Sequence, residues 1–166
     1  MDPFQVFGLQ IAMSFLLSTL LARWYVAPRL AAQPWPEALL PLLYIHAGRY
    51  LGMVFLIPDV VRSKLPDVFA LPVAYGDLAA SILAFLSIFA IRARSRAALA
   101  LVWITNVVGA VDLIHAYYRG ISLQPDIGAA YYIPAFIVPA LFVTHAQMFA
   151  MLVRRGGVTP RPTPGR

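Results

Sequence analysis

Apolar residues fall into five long stretches, at residues 4–21, 38–61, 69–91, 97–118 and 129–153, parted by short runs rich in proline, glycine and arginine. A hydrocarbon layer about 30 Å thick is crossed by about 20 helical residues, so each stretch is long enough for one crossing. The breaks fall where turns are needed: Pro28, Pro34 and Pro36 in the first, Arg62-Ser63-Lys64-Leu65-Pro66 in the second, residues 92–96 in the third and residues 120–128 in the fourth. The pattern predicts an all-α integral membrane bundle of five transmembrane helices over residues 1–153. A disordered cytoplasmic tail is expected over residues 154–166, which carry three prolines and no apolar periodicity.

Apolar residues make up 61% of the chain and charged residues 12%, about half the charged share of an average soluble protein. Cysteine is absent, which removes thiol catalysis, iron–sulfur clusters and cysteine zinc sites. The formal charge of +6 comes from residues at span ends and in the tail, so it reads as a topology and lipid-headgroup signal, not as nucleic-acid binding. With the N-terminus outside, the inner side would carry Arg23, Arg29, Arg92, Arg94, Arg96, Arg154, Arg155, Arg161 and Arg166, and the outer side only Arg62, Lys64 and Arg119. That asymmetry predicts an N-terminus outside and a C-terminus in the cytoplasm. Met1-Asp2-Pro3 offers no basic segment ahead of the first apolar stretch, so that stretch is expected to be a retained helix and not a cleaved signal.

Arg49 lies near the middle of the second stretch, where hydrocarbon offers no water to solvate a guanidinium. Such a residue needs a partner or a wet cavity and marks a candidate site. Asp77 and Asp112 are its candidate counter-charges, with His115 on the face of Asp112 and Tyr50 on the face shared by His46 and Arg49. Sorted by depth at about 1.5 Å per residue, these form an outer-to-middle layer, while His46, Asn106 and His145 form an inner one. Histidines at matching depth on two helices suit a b-type haem, a proton relay or a metal site, and they equally suit plain hydrogen-bonded core groups. No cofactor is required by the sequence. Pro134 and Pro139 are expected to kink the last helix and open space between helices. Gly76 with Ala79-Ala80, and Gly109-Ala110, are expected to let helices approach closely.

The segments His46-Ala47-Gly48-Arg49-Tyr50, Ala74-Tyr75-Gly76-Asp77-Leu78, Asn106-Val107-Val108-Gly109-Ala110-Val111-Asp112 and Tyr131-Tyr132-Ile133-Pro134 resemble a family of small uncharacterised bacterial multi-spanning membrane proteins, over nearly the whole chain outside the tail. The resemblance implies a bacterial inner membrane and carries no activity, ligand or site.

The leading expectation is a multi-pass inner-membrane protein whose Arg/Asp/His pocket binds a small ligand, a lipid headgroup or a proton, with membrane lipids as its surroundings. The alternatives are a haem b electron carrier using His46 and His145, a non-catalytic subunit or assembly factor within a larger complex or homo-oligomer, and a lipid-modifying enzyme using His115 and Asp112 as a base pair. The zinc-protease motif H-E-x-x-H and the nucleophile motif G-x-S-x-G are missing, and nothing in the chain otherwise fixes whether it is catalytic.

Overall fold

The computed structural model describes residues 1–61 and 64–156; the end of the expected tail, residues 157–166, lies outside them. Five helices are long and apolar enough to cross a membrane: α1 (Pro3–Ala31), α2 (Glu37–Leu56), α3 (Asp67–Arg92), α4 (Ala98–Leu123) and α5 (Gly128–Arg154). The described residues contain no strand. The backbone of the last helix continues to Gly156, so residues 154–156 extend α5.

Successive helices alternate in direction, because the end of α1, the start of α2, the end of α3, the start of α4 and the end of α5 meet in one apolar cluster around Leu30, Leu43, Ile91, Val102 and Met148. At the other end, Phe55, Val61, Leu65, Phe69 and Ala130 form a second cluster, with Leu113, Val138 and Leu141 beside it. Buried His46, Arg49, Asp77, Asn106 and His145 sit between these two ends, and the Ser87–Thr105 pair lies within the first cluster. α2, α3 and α4 pack in sequence, α5 packs on α4 and α2, and α1 packs against α5. The face α1 turns inward carries the buried Ser14 and Gln10, which accepts the Tyr131 hydroxyl. Phe7 meets Tyr131 and Phe15 meets Phe142 on the same side.

Departures from straight α-helix follow the prolines and glycines. α1 continues ten residues beyond the expected end at residue 21 because a π turn, Ala22–Val26, precedes Pro28. The wider turn relieves the clash between the proline ring and the carbonyl four residues back, that of Trp24. α5 repeats the device, with a π turn at Ile133–Ile137 ahead of Pro139. Pro72 lies inside α3 and cannot donate to the carbonyl of Val68; Arg119 of α4 donates to that carbonyl instead.

α2 departs most. It is α-helical only over Leu40–Ala47 and tightens into a 3₁₀ helix over Gly48–Leu56. The Ser81 hydroxyl of α3 caps the carbonyl of Ala47 at the junction, at 2.5 Å. At the longer rise of 3₁₀ geometry α2 spans about 36 Å, so its 20 residues are long enough to cross a hydrocarbon layer although the helix stops at Leu56 and not at residue 61. Residues three apart eclipse in such a helix, which aligns Arg49, Gly52 and Phe55 on one buried face.

Candidate functional site

The alignment of Arg49 with Gly52 and Phe55 aims the guanidinium into the bundle, where α3 and α4 supply its partners. Nε donates to Asp77 Oδ1 at 2.8 Å, Nη2 to Asp112 Oδ2 at 2.6 Å, and Nη1 to the backbone carbonyl of Gly109 at 3.0 Å. Both aspartates engage it, so the planar fork ties three helices together. One cation facing two carboxylates leaves the cluster with an excess of one negative charge when both acids are ionised.

Glycines make the room for this cluster. A Cβ on Gly52 would stand 1.9 Å from Asp77 Oδ2, and one on Gly76 would stand 1.8 Å from Asp112 Oδ1. One on Gly109 would lie 2.9 Å from Arg49 Nη1 and 3.0 Å from His145 Nε2. Gly76 and Gly109, expected to serve helix approach, each leave a hollow filled by a polar side chain.

Gly109 is also where the two expected layers meet. Side chains on a helix lean toward its N-terminus, so the long Arg49 side chain reaches back toward the level of His46 and brings its guanidinium beside His145. The rings of His46 and His145 stack with centroids 3.9 Å apart and planes inclined by 32°. Asn106 Nδ2 donates to the His145 carbonyl at 3.2 Å, so Asn106 Oδ1 is the acceptor that receives His145 Nδ1–H at 2.6 Å. Thr144 Oγ1 donates to the Leu141 carbonyl at 2.8 Å and therefore receives His46 Nε2–H at 3.1 Å. These bonds assign both tautomers in the neutral form. His46 Nδ1 and His145 Nε2 are left without a protein hydrogen-bond partner.

A haem held between these two histidines does not fit. Axial imidazoles stand on opposite faces of the macrocycle with their nitrogens directed at iron, whereas these rings lie against one another with no gap for a porphyrin plane. No group of three or more histidine, aspartate or glutamate side chains among the described residues is arranged to hold a metal ion.

Two expected site residues make no hydrogen bond or ion pair with the cluster, although His115 still acts on Asp112 through space. Tyr50 is 49% exposed on the outer surface, because the 3₁₀ turns from Gly48 onward break the four-residue alignment with His46 that an α-helix would keep. His115 is exposed, and its Nε2 accepts from Arg119 Nε at 2.8 Å, steadying the side chain that caps the Val68 carbonyl freed by Pro72. It therefore serves the α3–α4 junction, and its free pairing with Asp112 as a catalytic base is not seen.

Beyond Asp77 the bundle opens into a cavity of about 370 Å³ between the starts of α1, α3 and α5 and the end of α4. Its wall is apolar and aromatic, and Asp77 is the one charged residue among those lining it. Pro134 is part of this wall, and its carbonyl accepts the Tyr117 hydroxyl at 2.6 Å. The signal the sequence offered for this space was the pair of prolines in α5; the aromatic rings around it were spread over five helices.

No curated protein and no solved structure matches the chain. A family described as Domain of unknown function (DUF8737) matches residues 6–153, which cover nearly all of the five helices and every residue of the polar cluster, and the chain belongs to that family.

Proposed function

We propose that this chain is a bacterial inner-membrane binding protein whose Arg49–Asp77–Asp112 cluster forms the floor of a site for a small, largely apolar ligand. The observation that carries this reading is the cavity of about 370 Å³ with Asp77 as its charged lining residue. Ligand sites have this composition, a mostly apolar wall with a few placed polar groups, and volumes of about 300–1,000 Å³. Arg49 is held by three protein acceptors, so it serves as the counter-charge that keeps the aspartates in place and not as an open receptor for an anion.

The test uses an alkyl chain bearing a photoactivatable diazirine, presented to the protein in lipid nanodiscs. Saturable labelling is expected in the peptides that line the cavity, those holding Phe69 and Val73 and those holding Tyr131 and Val138. A plug should abolish it. Gly120 lines the cavity, and a Cβ there would meet no atom closer than 4.0 Å, so Gly120→Leu should fold and fill the space. Labelling spread evenly over the lipid-facing surface, or indifferent to the plug, would remove the reading.

The cavity lies at the end of the bundle where α1 begins and α4 ends. With the N-terminus outside and the C-terminus in the cytoplasm, that end faces the outer leaflet, as the arginine distribution favours. A reporter active only outside the membrane should work at the N-terminus and fail when fused after the last residue. The same result at both ends would contradict a five-span topology.

A further inference from the structure

We infer that the ligand of this cavity is a hydrophobic organic cation, an alkyl or aryl ammonium whose charged head meets Asp77. The inference rests on the binding site proposed above and names the class it takes. Three independent features of the site favour a cation.

The first is the charge balance. Arg49 offers one positive charge to Asp77 and Asp112 together, so with both acids ionised one unit of negative charge is uncompensated, in a region where solvent screening is weak. An occupant with a single positive charge cancels it, whereas an anion adds to it and a neutral molecule leaves it standing.

The second is the oxygen that remains. Asp77 Oδ1 is occupied by Arg49 Nε. Asp77 Oδ2 rests against the Cα of Gly52 and accepts no hydrogen bond among the described residues. It can take an N–H donor in a charge-assisted bond. The Arg49 fork fixes the carboxylate in position before any ligand arrives, which lowers the ordering cost of binding.

The third is the wall. Phe4, Phe7, Phe55, Phe69, Tyr117 and Tyr131 all line the cavity. Aromatic faces carry negative potential and attract ammonium groups while covering the apolar part of the same molecule. Phe55 and Phe69 stand edge to face at 5.8 Å within this wall.

A matched set of diazirine probes decides the class: one alkyl chain with an ammonium, an alcohol or a carboxylate head, each in nanodiscs of zwitterionic lipid. The ammonium probe should label the cavity peptides at a concentration about tenfold lower than the alcohol, the size of one charge-assisted contact, and the carboxylate should not label them. Asp77→Asn should bring the ammonium and alcohol probes to equal labelling. Asp112→Asn cancels the same excess charge from a residue outside the cavity lining and should also narrow the difference, so the result does not hang on one variant folding. Equal labelling by ammonium and alcohol in the unaltered protein, with the plug still effective, would overturn the cation while the binding site stands. Failure of all three heads to label saturably would overturn both.

Discussion

Arg49→Met should be the most damaging single substitution in the chain, lowering stability in detergent by about 3–5 kcal/mol, because it strands two carboxylates between helices. Loss of either aspartate should cost less. Asp112→Asn leaves Arg49 with Asp77 and the Gly109 carbonyl, and Asp77→Asn leaves it with Asp112 and the same carbonyl, so each yields a balanced pair. Arg49→Lys should recover little, since an ammonium is a point charge that cannot present the fork needed by acceptors on two other helices. The decisive variant replaces all three charges, Arg49→Met with Asp77→Asn and Asp112→Asn. It should be more stable than Arg49→Met alone, because the stranded charges have gone with their partner. Denaturant unfolding in micelles measures each variant; a triple loss equal to the sum of the three single losses would show that the residues do not act as a unit.

Much of this arrangement was legible along the chain, and the parts that were not share a cause. Span number follows from length and hydropathy alone, quantities that tertiary contacts barely alter. An arginine in the middle of an apolar stretch demands counter-charges, and few carboxylates lie at a comparable depth, so Asp77 and Asp112 could be named from sequence. Orientation within the bundle was harder. Face assignments presumed 3.6 residues per turn throughout α2, and the 3₁₀ segment from Gly48 onward rotates Tyr50 away from the face of His46, four residues before it. Depth assignments located Cα atoms, whereas Arg49 acts through a guanidinium that reaches back toward its helix N-terminus. That reach merges two expected layers into one site over Gly109. His115 turns to Arg119 for a different reason. Its partner Arg119 is drawn to the Val68 carbonyl that Pro72 leaves open, a demand visible only once α3 and α4 are neighbours.

The glycines that admit these side chains give the second large effect, and its sign is the informative part. Alanine stabilises a helix by about 0.5–1 kcal/mol relative to glycine where space allows. Gly8 of α1 has nothing within 4 Å of where a Cβ would go, so Gly8→Ala should raise stability by about that amount. Gly76→Ala should do the opposite. Its methyl group would stand 1.8 Å from Asp112 Oδ1 and 2.6 Å from Asp112 Cγ, which forces the carboxylate off Arg49 Nη2 and should cost about 1–3 kcal/mol from overpacking alone. Gly52→Ala meets Asp77 in the same way, down to its Cβ at 2.9 Å, where a turn of the carboxylate cannot relieve the contact. The penalty at Gly76 is relieved by removing what it strikes: in an Asp112→Ala background, Gly76→Ala should become neutral or stabilising. Thermal unfolding of the two single variants and the double variant measures this coupling. An unchanged penalty in the Asp112→Ala background would mean that Gly76 is required for helix approach alone, and that the fit between glycine and carboxylate has no part in holding Arg49.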